Sequence, residues 1–382
     1  MPWKETCVMD ERLVLVKRYR EGQVPMAELC RCAGISRKTA YKWVARYAAE
    51  GRAGLEDRSR APHVQARQTP LAVIEELVAL KQKHRSWGPK KLVAVLRSRE
   101  PEVAWPAPST VSAILDARGL VKRRKSRRQT PPYPEPLSAC DAPNEVWSAD
   151  YKGQFKTGDG RYCYPLTLAD GCSRFVLGCH GLVQVNRIYA QPIFQRVFEA
   201  YGLPKTIRTD NGPPFANRGL GISRLTAWWL KLGIRHERIE PGHPEQNGRH
   251  ERMHRTLKAE TTKPPAKTMR GQQRRFDRWR ETFNYERPHE AIGLRPPADL
   301  YEVSGRAYPA TLPDVIYPDS FIMRKVRQNG SIKWHSQLIF TSYSLVGEPI
   351  GLERIDDQRW RVYFAQQPIG ILDIYLKKVL PM

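Results

Sequence analysis

Three acidic residues lie in sequence contexts that suit the chemistry of phosphodiester bonds. Asp150 closes the segment WSAD on a predicted strand, Asp210 follows a short predicted strand in TDNG, and Glu251 lies on a predicted helix in NGRHE. Carboxylates are the ligands that the hard, octahedral Mg²⁺ ion prefers, and a pair of such ions supports in-line displacement at phosphorus. If two strands and a helix bring these acids together, they form a site for phosphoryl transfer.

Two other acids compete for a place in this site. Glu245 lies six residues before Glu251, so the two side chains would be about 120° apart on one helix and only one would face the aspartates. Because Glu245 follows Pro244 in a first helical turn, the helix dipole already explains it. We therefore prefer Glu251 and keep Glu245 as the alternative. The turn residues Asp170 and Gly171 account for the third contender, Asp170.

The segment from His250 to His254 also matches the pattern H-E-x-x-H, which is typical of zinc peptidases. In that interpretation the two histidines bind zinc and Glu251 is a general base. The match is short, a charged Arg252 lies between the histidines, and a peptidase explains neither the charge of the chain nor its N-terminal pattern. We treat zinc proteolysis as a disfavoured alternative.

The composition indicates a polyanionic partner. The chain has 382 residues, a formal charge of +25 and 41% hydrophobic residues. It is long enough for about two to four domains with real cores, and such a charge favours nucleic acid as the partner.

The N-terminus has no apolar signal core, and no apolar run approaches the ~18–20 residues that span a bilayer. We therefore expect a cytoplasmic protein. The seven scattered cysteines contain no CxxC pair and predict neither disulfides nor a zinc finger.

The N-terminal part has the pattern of a helix-turn-helix DNA-binding unit. Helices are predicted at about 10–20, 25–32 and 37–49, with Gly34 in the turn and Ser36 as an N-cap. The third helix would enter the major groove and present basic and aromatic side chains to DNA: Arg37, Lys38, Tyr41 and Lys42. Helices at 71–83, 89–99 and 109–119, the last capped by Ser109, predict a second and weaker DNA-binding unit.

The rest of the chain divides at changes in composition. We predict domains at 1–60 (helix-turn-helix), 61–121 (second helical unit), 144–304 (α/β core) and 305–382 (β-rich tail). A basic, proline-rich linker at 122–143 would run along the phosphates of DNA.

Within the core, we predict strands at 147–155, 162–168, 174–178 and 206–209 and helices at 188–201, 223–232, 245–260 and 271–286. In the tail, strands at 321–326 and 332–334 flank Asn329-Gly330 and strands at 351–355 and 360–364 flank Asp356-Asp357, which predicts hairpins of a small β-barrel.

The segments WSAD, TDNG and NGRHE together resemble the three blocks of the integrase-type DDE core. Retroviral integrases share this core with bacterial insertion-sequence transposases, and the chain resembles the latter, of the 481-type group. The segments FNYERPH at 283–289 and LRPP at 294–297 resemble the part that closes the core in those transposases. Helix-turn-helix units, a basic linker and a β-barrel tail also fit this family, so the resemblance covers nearly the whole chain.

The resemblance implies an RNase H-like core in which Asp150, Asp210 and Glu251 hold two Mg²⁺ ions, for which Mn²⁺ substitutes. Lys258 matches a basic position that approaches DNA phosphates in the family. The implied reaction is cleavage at the terminal inverted repeats of a mobile element, followed by attack of the freed 3′-OH on target DNA. The implied state is a homo-oligomer on double-stranded DNA in the bacterial nucleoid, without a membrane partner. Since no retroviral zinc module is visible in the sequence, recognition of the DNA ends falls to the helix-turn-helix units.

Two rival functions remain at the level of sequence. An inactive, domesticated transposase would bind DNA as a regulator, although all three acids are present. A stand-alone nuclease would hydrolyse DNA without joining it, so its products would be nicked fragments alone.

Overall fold

A computed structural model describes residues 7–58, 68–121, 137–217 and 219–382. The chain forms two compact units, Met1–Gln68 and Thr69–Met382. The basic run of the predicted linker, at 122–128, lies outside the described residues. Among the described residues, no helix combines the length and the apolar character that crossing a membrane requires.

The first unit is a three-helix bundle with the predicted turn. Its helices are α1 (Val8–Glu21), α2 (Met26–Ala33) and α3 (Arg37–Glu50). Gly34 ends α2 in the left-handed region, with φ of 64°, which a glycine adopts without strain. Ser36 caps α3 by accepting a hydrogen bond from the Thr39 amide. These two residues set the angle between α2 and α3, as the sequence predicts.

The second unit begins with three helices, α4 (Leu71–Lys83), α5 (Pro89–Arg99) and α6 (Pro108–Ala117). They enclose their own apolar cluster around the fully buried Trp87. The predicted cap at Ser109 is wrong, because α6 begins one residue earlier and Ala107 occupies the N-cap position. Pro108 takes the first helical position, where its fixed φ suits a helix and its missing N–H costs nothing.

The core is a mixed sheet between two pairs of helices. Its elements are β1 (Val146–Tyr151), β2 (Phe155–Lys156), β3 (Tyr162–Asp170), β4 (Val176–Leu182), α7 (Arg187–Tyr201), β5 (Thr206–Thr209), α8 (Arg224–Lys231), β6 (Arg235–Arg238), α9 (Gly248–Thr261) and α10 (Met269–Glu281). The strands lie in the order β2-β3-β1-β5-β6, with β4 also paired to β3. The β1–β3 and β3–β4 pairs are antiparallel, whereas β5 is parallel to both β1 and β6.

Alternation along the strands decides which helices cover which face. Trp147 and Ala149 of β1, with Leu166 and Leu168 of β3, pack against α7 and α8. Residues of the intervening parity face the other way, where Ala169 packs with the side chains of α9 and α10. Asp150 has the parity of this second face, so the acid is turned toward α9.

Several predicted boundaries in the core shift by a few residues. Strand β4 begins at Val176 rather than 174, because Arg174 adopts a left-handed φ of 69°. The predicted strand at 147–155 is broken after Tyr151, and only the two-residue β2 follows. Helix α10 ends at Glu281, and a π-helical turn, Thr282–Glu286, completes the predicted length.

The tail is β-rich as predicted, but its described strands do not close into a barrel. Its strands are β7 (Ile322–Lys325), β8 (Ser331–Trp334), β9 (Gln337–Phe340), β10 (Pro349–Arg354), β11 (Arg359–Phe364), β12 (Gln367–Asp373) and β13 (Lys378–Leu380). One open antiparallel sheet has the order β13-β12-β11-β10-β7, and β8 and β9 form a separate pair. The predicted β10–β11 hairpin is present.

The predicted hairpin across Asn329-Gly330 is wrong in its partner strands. The turn itself forms, with Gly330 at a φ of 75° and the Arg327 amide bonded to the Ser331 carbonyl. However, the Val326 amide donates to the Glu348 carbonyl, and β7 continues along β10 instead. Strand β8 pairs with β9. A local turn signal therefore identified the reversal but not the long-range pairing.

Candidate active site

Two of the predicted acids belong to adjacent parallel strands: Asp150 lies on β1, and Asp210 directly follows β5. In the β1–β5 pair, Ser148 is opposite Arg208. Extending this register by two residues places Asp150 opposite Asp210. Asp210 is the residue that immediately follows the end of β5. Neighbouring parallel strands end at the same edge of a sheet. Two acids that are far apart in the sequence are therefore brought to the same edge.

The loop after β5 is shaped around the Asp210 carboxylate. The Gly212 amide donates to Asp210 Oδ1 at 3.2 Å. A β-carbon at position 212 would lie 3.1 Å from Asp210 Oδ2, so a larger residue would press on the carboxylate. Asn211 fixes the other side of the loop, where its Nδ2 donates to the Ile239 carbonyl at 2.6 Å. The TDNG segment therefore holds this acid in place.

Glu251 reaches the same region from α9, and Glu245 does not. Glu251 and Asp150 line one cleft, and the negative charge of Glu251 is felt at Asp150. Glu245 instead binds His243 Nδ1 at 2.8 Å, which lowers the pKa of the Glu245 carboxyl. The prediction that both glutamates belong to one regular helix is wrong: a 3-10 turn, Pro244–Asn247, precedes α9, and the φ of −108° at Asn247 separates the two.

The protonation of Asp150 depends on its burial and on the charges of the two other acids. Burial, then the nearby charge of Asp210 and, less strongly, of Glu251 raise the pKa of Asp150 to about 7. Burial also raises the pKa of Asp210. Carboxylates that lie close together and away from water favour the protonated form, because their negative charges repel one another. A cation bound among them would favour the deprotonated form instead. This is the electrostatic behaviour expected of carboxylates that share a cation.

The cleft that Asp150 and Glu251 line, hereafter the carboxylate cleft, has a volume of about 560 Å³ and is bordered by cations. Those cations are Lys152, Arg255, Lys258 and Lys263. Lys258, the position that the resemblance associates with DNA phosphates, therefore shares a cleft with two of the three acids. Lys152, Arg255 and Lys263 were not singled out from the sequence, where nothing distinguishes them from the many other basic residues.

A hydrogen-bond network of buried side chains lies behind Asp150. The Thr167 hydroxyl, on β3, donates to the Asp150 carbonyl at 3.1 Å and contacts His250 Nε2 at 2.7 Å and His254 Nε2 at 2.6 Å. Since a hydroxyl has one proton and two lone pairs, both histidines must then donate from Nε2. The Ser148 hydroxyl lies within hydrogen-bond distance of His250 Nδ1, at 2.7 Å. The network ties α9 to β1 and β3.

This network accounts for the H-E-x-x-H pattern. Burial lowers the pKa of both His250 and His254, so they remain neutral donors. Both Nε2 atoms face Thr167, and Nδ1 of His254 lies 3.5 Å from Asp150 Oδ2. The ligand atoms of Asp150, His250 and His254 are within 4.8 Å of one another, a spacing that suits a metal ion. The two histidines are thus companions of Asp150. Both ring nitrogens of His250 are engaged in hydrogen bonds, with Ser148 and Thr167, which disfavours the peptidase interpretation.

The predicted DNA-contacting residues of α3 lie on its surface. Arg37, Lys38, Tyr41 and Lys42 are all exposed in the first turns of the helix. The Lys42 ammonium lies 4.3 Å from the centre of the Trp43 ring, whose side chain is in the core of the bundle. Half of the Tyr41 side chain is accessible. The geometry therefore leaves this helix face open to a partner.

Known families match four stretches of the chain. A helix-turn-helix domain matches residues 11–63 and a homeodomain-like domain matches residues 39–115. Two integrase core domain families match residues 141–244 and 232–297. Together the integrase matches span the segments that carry Asp150, Asp210 and Glu251. The chain therefore has helical DNA-binding-type domains at its N-terminus and an integrase-type, RNase H-like core.

Individual relatives come from mobile elements and retroviruses. The chain is 29% identical over 233 residues to a 39.2 kDa protein of insertion element IS476 from Xanthomonas euvesicatoria, covering 60% of this chain and 64% of that protein. It is 28% identical to a 31.7 kDa protein of insertion element IS407 from Burkholderia multivorans, over 59% of this chain and 78% of that protein. A Gag-Pol polyprotein of baboon endogenous virus is 32% identical over 32% of this chain and 7% of the polyprotein.

Solved structures of retroviral integrases also match. The HTLV-2 integrase catalytic core in complex with magnesium aligns at 18% identity and a TM-score of 0.34, over 42% of this chain and 98% of that one. A chain of the simian T-cell lymphotropic virus intasome aligns at 16% identity and a TM-score of 0.37, over 76% and 96%. The matched domains and the insertion-element relatives agree with the resemblance to insertion-sequence transposases that the sequence predicts.

Proposed function

We propose that this protein is a DNA transposase that binds terminal inverted repeats and catalyses Mg²⁺-dependent DNA cleavage and strand transfer. The observation that carries the proposal is the placement of the acids: Asp150 and Glu251 line one cleft, and Asp210 follows β5, the parallel neighbour of the strand that carries Asp150. The raised pKa of Asp150, to which Asp210 and Glu251 contribute after burial, agrees with this placement. The neighbouring cations of the carboxylate cleft suit a phosphodiester substrate.

The donor set fits divalent metal ions. Asp150, Asp210 and Glu251 offer hard carboxylate oxygens of the kind that Mg²⁺ prefers, and their mutual repulsion favours a bound cation. We propose that they hold two Mg²⁺ ions, for which Mn²⁺ substitutes. When bound, such ions supply activation of the attacking oxygen and stabilisation of the leaving oxygen.

The other side chains of the site bind and orient. Lys152, Lys258 and Lys263 neutralise substrate phosphates along the cleft. Thr167 and the two histidines hold the Asp150 backbone and α9 at a fixed distance. In the first step water attacks the phosphodiester at the element end and the 3′-OH leaves. In the second step that 3′-OH attacks a phosphodiester of the target and displaces a target 3′-OH.

Recognition of the element ends is assigned to the helix-turn-helix unit. The exposed basic and aromatic residues of α3 would read base edges in the major groove: Arg37, Lys38, Tyr41 and Lys42. Two ends must be brought together for transposition, so we propose that the protein acts as a homo-oligomer on DNA in the nucleoid. Its binding should weaken steeply with salt, through release of counterions.

The decisive experiment incubates the protein and Mg²⁺ with labelled DNA that carries the inverted repeats flanking its gene. We expect joined products from the wild type and from the exposed control Asp314→Asn, and bound but uncut DNA from Asp210→Asn. Cleavage by Asp210→Asn at the wild-type rate would refute the site. Specific binding without cleavage by the wild type would favour the inactive regulator, and nicked fragments alone would favour a nuclease.

A further inference from the structure

A second cleft, of about 420 Å³, lies along another face of α9 and is rich in cations. Seven lysine and arginine side chains line it, against the two carboxylates of Asp170 and Glu290. We propose that this cationic cleft binds the phosphodiester backbone of a DNA strand that extends away from the carboxylate cleft. This inference rests on the proposed function, because it takes DNA as the substrate.

The carboxylates near the cationic cleft leave most of its positive charge unbalanced. Asp170 is buried and accepts hydrogen bonds from the Asn144 amide and from the amide and hydroxyl of Ser173. Glu290 pairs with Lys90, which does not line the cleft. Neither acid therefore forms an ion pair with a cation of the cleft among the described residues.

Two of the seven cations have partners of their own. Arg208 pairs with Glu237 at 2.6 Å, and Arg287 pairs with Glu260 at 2.9 Å. The other five form no ion pair within 4 Å among the described residues, although the charges of Glu290 and Glu260 act on Lys91 and that of Asp170 acts on Arg174. These five are Lys91, Arg174, Arg249, Arg252 and Arg255. Such a concentration of unpaired charge in a concave site is the pattern expected for binding a polyanion.

Within the cleft the cations are held close to one another. Arg174 and Arg249 both donate to the Gly171 carbonyl, at 2.8 and 3.2 Å. Burial, followed by the charge of Arg249, lowers the pKa of Arg174. Burial, followed by the charge of Arg287, lowers the pKa of Lys91 to about 8. An anion among these groups would relieve both the desolvation and the repulsion.

An unsatisfied donor also points to a ligand. Gln246 lines the cleft, and its Nε2 atom is buried without a hydrogen-bond partner among the described residues. The Gln246 side chain is held by its Oε1, which accepts from the Glu240 amide at 2.8 Å, so its Nε2 is the free donor. Buried polar groups are nearly always paired, and phosphate oxygens are acceptors for such a donor.

The position of Arg255 connects the two clefts. It lines the carboxylate cleft with Glu251 and Lys258 and also lines the cationic cleft with Arg249 and Arg252. From Arg249 to Arg255 the helix rises by about 9 Å, which is longer than a single phosphate group. A strand that leaves the acids therefore meets a continuous series of cations, whereas a free phosphate ion would occupy only a part of it.

The test compares two double variants of the full chain that lose the same charge. Arg249→Gln with Arg252→Gln removes two exposed cations of the cleft, and Arg224→Gln with Arg274→Gln removes two exposed arginines outside both clefts. The affinity for a labelled single-stranded oligonucleotide is measured across a salt series with metal chelated. We expect the salt slope to fall by about 1.4 for the cleft variant, at ~0.7 for each lost phosphate contact, and to stay at the wild-type value for the control.

Equal slopes for the two double variants would overturn the proposal. Inorganic phosphate distinguishes the other source of the same chemistry: if it stabilises the wild type but not the cleft variant against heat, while the oligonucleotide slopes are unchanged, the cleft holds a free anion and the strand assignment is wrong. Because no cleavage is measured, the two proposals fail separately. A slope change without strand transfer by the wild type defeats only the transposase proposal, and strand transfer without a slope change defeats only this one.

Discussion

The two clefts along α9 are built from the same helix and have opposite electrostatic needs. In the carboxylate cleft, Asp150 and Glu251 are close enough for their charges to repel, and the site favours a cation. In the cationic cleft, Arg174 and Arg249 crowd one carbonyl, and the site favours an anion. The difference follows from helical periodicity. On α9, residues 251, 254, 255, 258 and 259 line the first cleft, and residues 249, 250, 252, 253, 255 and 256 line the second.

The two clefts also differ in how firmly their side chains are held. Behind the carboxylate cleft, Thr167 and both histidines of α9 are almost fully buried and are joined by hydrogen bonds. In the cationic cleft, Arg249 and Arg252 are exposed side chains at the surface of the helix. A metal site requires fixed ligands, whereas a sugar-phosphate backbone tolerates flexible cations. We expect substitutions in the two clefts to differ in kind as well as in size.

The largest effect should come from removing one charge from the carboxylate cleft. Glu251→Gln keeps the size of the side chain but removes a metal-binding charge, and we expect strand transfer to fall at least about 10³-fold, the equivalent of roughly 4 kcal/mol. The matched control is Glu245→Gln, since Glu245 binds His243 and lies outside the cleft. Rates on labelled element ends measure both. Loss of activity in the Glu245 variant with retention in the Glu251 variant would reverse their assignment.

The sequence drew attention to the carboxylates more readily than to their surroundings. Asp150, Asp210 and Glu251 lie in short motifs at the ends or faces of elements, and these motifs led to their prediction as site residues. The role of Thr167 depends on which strand lies beside β1 and on which face of it α9 packs. No periodicity along the chain encodes such contacts. The residues that line the cationic cleft likewise come from separate parts of the chain, which include α5, the loop before β4, α9 and the segment after α10.

The tail shows the same limit more sharply. Turn residues at Gly330 and at Asp356 were identified from sequence, but the strands around Gly330 find partners elsewhere. Turn chemistry is local, and strand pairing is decided by burial across the whole sheet. At Pro108 and Gly248, by contrast, the predicted helix starts were wrong by one and three residues, because competing helix-start signals are adjacent in the sequence.

The second prediction tests whether the buried network supports only one of the clefts. Thr167→Val removes the acceptor of two buried histidine donors, and we expect the free energy of unfolding to fall by about 2–4 kcal/mol. The Mg²⁺ concentration needed for strand transfer should rise as well, because Asp150 loses its anchor. Thr167→Ser, which keeps the hydroxyl, is the control. Denaturant titration and metal titration measure these effects.

Oligonucleotide binding by the folded Thr167→Val protein should keep the wild-type salt slope, since Thr167 does not line the cationic cleft. A Val variant as stable as the wild type would mean that the histidines do not donate to this hydroxyl. A changed slope would mean that the two clefts are mechanically coupled, and the separation drawn between them would then be wrong.

The smallest predicted difference is in the response of the clefts to pH. Metal ligands must be deprotonated, and the pKa of Asp150 is raised to about 7 in the metal-free site. As the pH falls below that value, protons compete with the metal, so the apparent Mg²⁺ affinity should weaken by up to about tenfold per pH unit and be constant above it. The arginines of the cationic cleft stay charged throughout. Metal titrations of strand transfer should therefore shift between pH 7 and pH 6, while metal-free oligonucleotide affinity loses nothing over the same interval. Equal shifts in both measurements would show that one titrating group affects both clefts. That result would contradict the separation of the clefts, because Asp150 lines only the carboxylate cleft and Arg249 lines only the cationic cleft.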